Sequence, residues 1–578
     1  MNDNATIQEL YKSCGISEDH AASDYFLLIS RLVEKRNREG EQWQKYIDQV
    51  YMLVMDEMTT NSGVPQTKVK FGTSGWRGTL GKDLFVRSVT SVTAAIIRLY
   101  ERLADEPELA PFLGVASLAE AQEKGCVVGF DNRFGGELLA GAAVDVLIRS
   151  GFKVHYAGES TTGVLSAALL ELNGAFSINL TPSHNPLQYG GFKYNAADAG
   201  PAAAELTNRI TAYSNEIIRG GDASLPDGDT VPPAVSKRED INSFDSLQCW
   251  KTLVRKNESI HGLNLDDIVQ AFEDHNDLCL VVDSVHGASR NHILPLLNNS
   301  ASERLIRLRE KADVTFGGIA PEPSSANMAG VVAELGHRRE RLKLGAIIDP
   351  DGDRIRFTDG RHEISMNQFG AMAYHFLHEH KKKKGMAAKT VATSNLANSL
   401  AESFGEEIFE PRVGFKEFKP VIGKALVYFE ESDGISIIGH TPEKDAYIGL
   451  LLALDMVISL DMNLGEYLAE IEKEFGHYYP DRDGLVVSAK GDELKAALAK
   501  LERYGVGADI LVGDKPQTIN QVIDIDGRKM IFEDGSWLMI RPSGTEPKVR
   551  FYVESRTSAG TDNLVAAAKQ MLTEIGLL

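Results

Sequence analysis

A hydroxyl, an imidazole and an amine lie within eleven residues of one another near the middle of the first half of the sequence. Ser183 and His184 belong to the loop TPSHNP, and Lys193 follows in the segment YGGFKYN. The loop comes directly after an apolar run that is typical of a short buried strand. Its two prolines restrict the backbone and remove two amide donors, so Ser183 and His184 should lie on a stiff turn. We interpret the three side chains as a nucleophile with its helpers, and an ordinary polar loop is the alternative.

Three carboxylates alternate with other residues in the segment DPDGDR, residues 349–354. In an extended loop Asp349, Asp351 and Asp353 would project to one side, where they would repel one another unless a cation lay among them. An EF-hand loop is excluded because the sixth residue of this segment is Arg354, where an EF-hand has glycine. Oxygen ligands favour Mg²⁺, Mn²⁺ or Ca²⁺ over zinc. We therefore predict a metal site that shares a phosphate from elsewhere, with an acidic surface turn as the alternative.

Two segments carry groups that suit a phosphate. The first is the loop RPSGTEPKVR near the C-terminus, in which arginines can meet phosphate oxygens bidentately and the backbone can add N–H donors. Its candidate phosphate-binding residues are Arg541, Ser543, Gly544, Thr545 and Arg550. The second is the glycine-rich stretch KFGTSGWRG, residues 70–78, which is a weaker candidate for a phosphate cradle. A basic turn is an equally good interpretation of the first loop taken alone.

Another group of residues suits a sugar. The segment VGFK is followed at the end of a predicted strand by the segment EES, and carboxylates and hydroxyls at such an end can recognise vicinal hydroxyls. The candidates in this region are Gly414, Lys416, Glu430, Ser432, His440 and Lys444. A pair of glutamates on a surface loop is usually only solvated, and that is the alternative interpretation. The paired glycines Gly190 and Gly191, beside Lys193, would let the backbone approach a ligand closely.

These residues need strands to position them. Apolar runs predict buried strands near residues 126–130, 278–282, 345–348 and 425–429, with helical segments between them. A further strand is predicted near Thr390 to Thr393. Strand–helix alternation of this kind predicts α/β domains with largely parallel sheets, in which ligands bind beyond the carboxyl ends of the strands. After residue 483 the composition changes to that of a smaller α+β domain.

The predicted organisation has a helical extension followed by four domains. The parts are residues 1–65, helical; 66–235, α/β with the Ser183 loop; 236–362, α/β with the aspartate loop; 363–482, α/β with the glutamate loop; and 483–578, α+β with the RPSGTEPKVR loop. A stretch rich in Asp, Ser, Gly and Pro, residues 221–245, is predicted to be a linker.

Composition narrows the class of protein. The 578 residues carry a formal net charge of −21, which argues against a general nucleic-acid binder. The 4 cysteines are far apart and form no zinc or disulfide pattern. No apolar run is long enough to span a bilayer, and the N-terminus lacks the features of a signal peptide. We therefore expect a cytoplasmic protein with no membrane partner, as a monomer or homodimer.

Taken together, the segments TPSHNP, DPDGDR, FEES and RPSGTEPKVR resemble the α-D-phosphohexomutase superfamily, most closely its phosphoglucomutases. They occur in the family's order and spacing, and GTSGWRG and GFKYN agree as well. The resemblance covers about residues 66–578. It implies three similar α/β domains, each an α/β/α sandwich, and a smaller C-terminal α+β domain around a central cleft. Two positions depart from the pattern: Phe429 replaces a common glycine, and Asp433-Gly434 differs from the Ser-Gly-His of one branch.

The resemblance also implies roles for the candidate residues. Ser183 would be phosphorylated and would bind Mg²⁺ through its phosphate together with Asp349, Asp351 and Asp353. Lys193 is favoured over His184 as the general base. The remaining candidates would contact substrate: Arg77, Arg133, Arg354, Gly414 and Lys416 around the phosphates, Glu430 and Ser432 at the sugar hydroxyls, His440 and Lys444 at both, and the loop from Arg541 to Arg550 at the unreacting phosphate.

The expected activity is that of a Mg²⁺-dependent phosphoglucomutase. Glucose 1-phosphate and glucose 6-phosphate would be interconverted through a phosphoserine enzyme, with glucose 1,6-bisphosphate as intermediate and activator. The expected partners are small hexose phosphates. A phosphomannomutase or an enzyme that takes both sugars is the nearest alternative, since the two sugars differ by one epimeric hydroxyl. A non-catalytic sugar-phosphate binder and a phosphoserine hydrolase are further alternatives.

Overall fold

The computed structural model describes residues 3–72, 74–220, 235, 238, 241–543 and 548–578. Within these ranges the strands form four sheets. The chain begins with three helices, α1 (Asp3–Ser13), α2 (Tyr25–Glu39) and α3 (Gln44–Thr60). The apolar faces of α2 and α3 are buried in the same core as the first sheet, so the helical extension is part of the first domain's packing.

The first sheet has six strands in the order β1-β5-β4-β2-β3-β6. The strands are β1 (Trp76–Thr79), β2 (Cys126–Phe130), β3 (Val154–Glu159), β4 (Phe176–Leu180), β5 (Tyr189–Ala196) and β6 (Asn242–Ser243). The helices are α4 (Val86–Glu101), α5 (Ala110–Leu113), α6 (Leu118–Lys124), α7 (Gly136–Arg149), α8 (Thr162–Glu171) and α9 (Ala204–Gly220). The inner strands pair in parallel, whereas β5 runs antiparallel to both β4 and β1. The predicted linker therefore contributes strand β6, and residues 221–234, 236, 237, 239 and 240 lie outside the described ranges.

The second sheet has the order β11-β10-β9-β7-β8. Its strands are β7 (Leu278–Asp283), β8 (Leu305–Leu308), β9 (Leu342–Ile348), β10 (Ile355–Thr358) and β11 (Glu363–Ile364). The helices are α10 (Ser246–Lys256), α11 (Glu258–His261), α12 (Leu265–Asp274), α13 (Ile293–Leu296) and α14 (Ser325–His337). β7 pairs in parallel with β8 and β9, and every residue of β7 is buried, which explains its continuous apolar sequence.

The third sheet has the order β13-β12-β14-β15. Its strands are β12 (Ala387–Lys389), β13 (Ile408–Phe409), β14 (Val427–Glu430) and β15 (Gly434–Ile437). The helices are α15 (Met366–His375), which continues into a π-helical turn, α16 (Leu396–Phe404), α17 (Ala446–Leu460) and α18 (Leu464–Phe475). The strand predicted near Thr390 to Thr393 was wrong: the strand ends at Lys389. The backbone then turns, since the Thr393 amide bonds back to the Thr390 carbonyl at 2.9 Å, and both threonine hydroxyls bond to the buried Glu431.

The same turn recurs in all three of these sheets. In each sheet a strand with a parallel neighbour is followed by an antiparallel partner: β4 by β5, β9 by β10, and β14 by β15. The Ser183 loop, the aspartate loop and the glutamate loop are these three turns. Three similar domains thus present their polar loops from equivalent places.

The fourth sheet is antiparallel throughout, in the order β16-β21-β20-β19-β18-β17. Its strands are β16 (Tyr479–Val486), β17 (Asp509–Val512), β18 (Lys515–Ile523), β19 (Arg528–Phe532), β20 (Trp537–Pro542) and β21 (Lys548–Ser555), with helices α19 (Gly491–Ala499) and α20 (Ser558–Glu574). The predicted fold class, three α/β domains and a smaller α+β domain, is confirmed. The sheet begins at Tyr479, ahead of the predicted boundary at residue 483.

Within the described ranges, no single helix combines the length and apolar character needed to cross a membrane, and α17 with α18 meets that test only as a pair bent by 78°.

The third and fourth domains share a buried contact. Glu410 accepts hydrogen bonds or ion pairs from Lys529 of β19 at 3.1 Å and from Lys389 of β12 at 3.2 Å. The two lysine side chains are 1% and 0% exposed. Burial, and then the Lys389 cation, lower the pKa of Lys529 to about 8. Two buried lysines therefore share one carboxylate at this junction.

We expect Glu410→Gln to destabilise the protein by about 3–5 kcal/mol, since it leaves Lys389 and Lys529 buried without the carboxylate that they share. The unfolded chain binds more protons than the native one between pH 8 and the ordinary lysine value of 10.5, so stability contributed by Lys529 rises with pH across that window. The loss should thus be smaller at pH 9.5 than at pH 7. Denaturant unfolding at the two pH values measures both effects. An equal loss at both would contradict the role of Lys529.

Candidate active site

The aspartate loop closes the turn from β9 to β10. One carboxylate oxygen from each of Asp349, Asp351 and Asp353 lies within 4.8 Å of the others, and all three residues are buried. Asp349 holds the loop by accepting the amides of Asp353 and Arg354, each at 3.0 Å. Oδ1 of Asp351 and Oδ1 of Asp353 are buried without a hydrogen-bond partner among the described residues. The prediction that the three side chains converge is therefore confirmed by their geometry.

The electrostatics of this cluster favour a cation. Burial, and then the neighbouring Asp351 and Asp353, raise the pKa of Asp349 well above its ordinary value. Burial alone would raise the pKa of Asp353 too, but Lys193, Lys444 and Arg354 outweigh it and lower that pKa. An all-oxygen donor set with two unpartnered buried oxygens fits a hard divalent ion such as Mg²⁺.

Ser183 lies at the aspartate cluster although it belongs to a different domain. Its Oγ donates to Oδ2 of Asp349 at 2.9 Å, and the residue is 1% exposed. Ser183 has φ of 59°, in the left-handed region that a residue with a side chain rarely adopts. The Thr181 hydroxyl accepts the Ser183 amide at 2.9 Å and donates to Asp131 at 2.6 Å. The stiff turn predicted from two prolines thus also depends on hydrogen bonds from Thr181.

Arg133 contacts the main chain of the Ser183 loop in this structure. Its guanidinium donates to the main-chain carbonyls of Ser183 at 2.6 Å, Pro186 at 2.8 Å and Tyr189 at 3.3 Å, and to that of Asn185. All of its terminal N–H groups therefore hold the Ser183 loop from beneath. Arg133 thus positions the loop, and its predicted contact with a substrate phosphate stays a prediction.

The paired glycines also act differently. Both lie in β5, and a Cβ on Gly191 would stand 2.2 Å from the Thr181 carbonyl oxygen. Gly191 thus lets β5 pass close beneath the Ser183 loop, and the close approach is to the protein's own backbone instead of to a ligand.

Lys193 completes the cluster. Its Nζ lies 2.6 Å from Oδ2 of Asp351 and 2.7 Å from Oδ2 of Asp353. Burial would lower the pKa of Lys193, but the two aspartates outweigh burial and raise it. Lys193 is therefore a cation in this structure, and it neutralises the aspartates itself. An amine can accept a proton only when uncharged, so the predicted base role requires those carboxylates to be neutralised by another charge.

His184, Arg77 and Arg354 form a second group next to the serine. Nδ1 of His184 is 3.4 Å from Oγ of Ser183. Burial, and then the guanidinium groups of Arg354 and Arg77, lower the pKa of His184 well below its ordinary value. Burial and the nearby Arg354 also lower the pKa of Arg77. Two adjacent cations beside a neutral imidazole make an environment that favours an anion such as a phosphate.

Lys444 connects the aspartate loop to the glutamate loop. Its Nζ is 3.5 Å from Oδ2 of Asp353 and 3.5 Å from Oε1 of Glu430. Ser432, half-buried, follows in the same turn. Oδ2 of Asp445 lies 2.6 Å from Nε2 of His440 and fixes the imidazole. Nδ1 of His440 is buried and has no hydrogen-bond partner among the described residues. The structure therefore brings Lys444 and Glu430 of the third domain to the aspartate cluster, whereas His440 packs against Trp250 and Asp445.

The remaining predicted residues lie on flanking loops. Gly414, with φ of 131°, precedes a 3₁₀ helix that contains the half-buried Lys416. Nε of Arg541 is 3.1 Å from Asp526, whose carboxylate also accepts the Val413 amide at 3.0 Å. Ser543 ends the hairpin strand, and its amide bonds the Lys548 carbonyl at 2.8 Å. Gly544 and Thr545 lie outside the described residues, and Arg550 lies on β21. No described contact joins this loop directly to Ser183.

Sequence reasoning missed several buried polar residues that support the site. Thr162 donates to Asp351 at 2.7 Å and accepts from Asn179 at 3.0 Å. Glu443, whose pKa burial raises to about 7, accepts from Asn195 at 3.3 Å. Asn179 and Asn195 stand at alternating, inward positions of β4 and β5. These residues could have been found in the sequence as polar residues within otherwise apolar strands.

Comparisons with known proteins agree with this arrangement. Phosphoglucomutase/phosphomannomutase family models for α/β/α domains I, II and III and for the C-terminal domain match residues 68–219, 264–362, 365–475 and 487–570. The chain is similar to a probable phosphoglucosamine mutase of Methanobrevibacter smithii, with 26% identity over 516 residues, 88% of this chain and 99% of that protein. It is also similar to a phosphoglucomutase of Komagataeibacter xylinus, with 25% identity over 530 residues, 85% of this chain and 88% of that protein.

Among solved structures, similarity extends to the open form of pp63/parafusin, an exocytosis-sensitive phosphoprotein and phosphoglucomutase from Paramecium. The TM-score is 0.65 at 20% identity, covering 89% of this chain and 96% of that one. At this identity the likeness concerns the fold. Residues 3–60, which form α1 to α3, precede all four family matches.

Proposed function

Because this chain belongs to the phosphoglucomutase/phosphomannomutase family, we propose that it moves a phosphoryl group between C1 and C6 of glucose. A phosphohexomutase activity is the family's, and the choice of glucose is the finer part of the proposal. The observation that carries it is the 2.9 Å hydrogen bond from Ser183 to Asp349, which brings a strained serine of one domain onto the carboxylate cluster of the next.

The proposed reaction is a double phosphoryl transfer. In the first step the P–Oγ bond of phosphorylated Ser183 breaks and a P–O bond to the C6 hydroxyl of glucose 1-phosphate forms. The C6 hydroxyl proton passes to Lys193, and Ser183 Oγ takes up a proton from the site to become a hydroxyl. The resulting glucose 1,6-bisphosphate turns over in the site. In the second step Ser183 Oγ takes the phosphoryl group from C1, and a proton returns to the sugar oxygen. Glucose 6-phosphate and phosphorylated Ser183 result.

We assign Asp349, Asp351 and Asp353 to hold Mg²⁺ together with the Ser183 phosphate. When bound, Mg²⁺ would neutralise negative charge on the phosphoryl group during its transfer. A cation bound by Asp351 and Asp353 would take over the charge that Lys193 now neutralises, so Lys193 could lose its proton. Lys193 is therefore our proposed proton acceptor. Its distance of 2.6 Å from Asp351 supports a position beside the transferring group.

Other residues would bind and orient the sugar. Arg77, Arg354 and the neutral His184 are proposed to surround the reacting phosphate. Glu430, Ser432, Lys444 and His440 would contact the sugar hydroxyls, and Gly414 and Lys416 the neighbouring phosphate. The loop with Arg541, Ser543 and Arg550 would hold the unreacting phosphate. Its place on a small terminal domain supports this role, because such a domain can close over the substrate.

The test is ³¹P NMR of the purified protein with Mg²⁺ and a trace of glucose 1,6-bisphosphate. Glucose 1-phosphate, mannose 1-phosphate and glucosamine 1-phosphate are supplied in parallel, since the relatives above carry different substrate names. We expect conversion of glucose 1-phosphate to the 6-phosphate at the highest rate. Equal conversion of mannose 1-phosphate would replace the glucose assignment with a dual one. Release of free phosphate would identify a hydrolase and overturn the mutase proposal.

A further inference from the structure

The N-terminal helices contact the second domain at the turn formed by residues 313–318. Nη2 of Arg36, on α2, lies 3.1 Å from Oδ2 of Asp313 and 3.0 Å from Oγ1 of Thr315. The Arg36 side chain is only 9% exposed. Asn37 donates to the Gly317 carbonyl at 2.8 Å. A Cβ on Gly318 would stand 2.7 Å from Val33, so the turn lies directly against α2.

Asp313 shapes the turn that it connects to Arg36. Its carboxylate accepts the Thr315 amide at 2.8 Å and the Gly317 amide at 3.1 Å. Between them, Phe316 is fully buried and has φ of 53°. A phenylalanine in this left-handed region is strained, so the surrounding contacts have to hold it there. The Arg36 ion pair is one of those contacts.

Phe316 in turn lies beneath Arg133. The Arg133 guanidinium carbon is 4.8 Å from the centre of the Phe316 ring, which is a cation–π contact in a water-excluded place. The opposite side of this junction is closed by α3, where the Tyr51 ring lies 4.4 Å from that of Phe134, the residue after Arg133. Arg133 is the residue whose donors hold the Ser183 loop, so the contacts run from α2 to the serine without a gap.

We propose that the N-terminal helices support the active site: they fix Phe316 beneath Arg133 and so hold the Ser183 loop, with Arg36 as the positioning residue. The loop needs such support because Ser183 itself has a left-handed backbone, an unfavourable conformation that surrounding contacts must hold in place. The inference concerns the position of the loop. Only its effect on turnover rests on the proposed function.

The experiment compares Arg36→Ala with Arg38→Ala by hydrogen–deuterium exchange of the full-length protein. Arg38 is a matched control, since it lies in the same last turn of α2 but is exposed. We expect amides of residues 183–189 to exchange about 2- to 30-fold faster in Arg36→Ala, the range for coupling through packed contacts, and to be unchanged in Arg38→Ala. Arg36→Lys retains a charge for Asp313 and should restore part of the protection.

Kinetics provide the second readout. Looser positioning of Ser183 should lower kcat by the same factor while KM stays within about twofold, because most of the proposed substrate-binding residues, such as Arg77, Arg354 and Lys444, lie outside this loop. Faster exchange in α2 with unchanged exchange in residues 183–189 would overturn the proposal. If Arg36→Ala unfolds the protein, Phe316→Leu removes only the ring beneath Arg133 and has to give the same loop signature. If exchange of residues 183–189 rises in Arg36→Ala as expected but the wild-type protein has no mutase activity, the proposed function is refuted and this inference stands.

Discussion

Ser183→Ala should abolish mutase turnover, with a fall in rate of at least about 10⁴-fold, while the protein stays folded. The hydroxyl is the proposed acceptor and donor of the phosphoryl group, and no other described hydroxyl has Oγ at hydrogen-bond distance from Asp349. Alanine removes the hydroxyl's contacts with Asp349 and His184 and leaves the turn's main-chain contacts with Arg133 in place. Turnover followed by ³¹P NMR, with intact-protein mass for the phosphate, measures the effect.

Two controls separate chemistry from folding in this experiment. Thermal unfolding should show a midpoint close to that of the wild type. Incubation with glucose 1,6-bisphosphate should add one phosphate to the wild type and none to the variant. Substantial turnover by Ser183→Ala, or phosphate still incorporated at another residue, would be incompatible with Ser183 as the phosphoryl carrier.

Asp351→Asn should lower kcat by more than about 100-fold and raise the Mg²⁺ concentration needed for half-maximal activity, since loss of residues that merely orient metal ligands already costs 10- to 100-fold. The amide keeps an oxygen that can accept from Thr162, but it removes the charge that Lys193 and a cation share. Mg²⁺ titrations of activity and of the thermal midpoint measure the change, because a ligand that binds the native state stabilises it.

Asp359→Asn is the matched control for that experiment. Asp359 is also a buried carboxylate of the second domain, at 6% exposed, but it lies at the far end of β10 and accepts the Gly465 amide at 3.0 Å. Its substitution should leave the Mg²⁺ dependence unchanged even if stability falls. Equal Mg²⁺ activation in Asp351→Asn and the wild type would mean that the aspartate loop does not bind the metal.

Much of the site could be predicted because its residues occur in short segments next to apolar strands. Asp349, Asp351 and Asp353 were predicted to converge from their spacing alone, and the tight turn between β9 and β10 brings them together. The fold class followed in the same way from strand–helix alternation. Such features depend on neighbours in the chain, and a single sequence contains them.

What could not be predicted depends on partners far away in the chain. Arg133 was taken for a phosphate ligand because arginine favours phosphates, but its partners are main-chain carbonyls that carry no sequence signal. The charge of Lys193 depends on aspartates more than 150 positions later, at separations of 158 and 160 residues. Thr390 and Thr393 were predicted to lie in a strand, but their hydroxyls bond to Glu431, the residue after β14, about 40 positions later.

The contact between Arg36 and Asp313 also bears on how the protein is made. The two residues are 277 positions apart, so at 5–20 residues per second a ribosome needs roughly 15–55 s between synthesising one and the other. During that interval α2 and α3 can already pack on the nascent first domain, since they share its core. The Ser183 loop emerges before its support exists. The Arg36–Asp313 contact can therefore form only after this part of the second domain has left the exit tunnel.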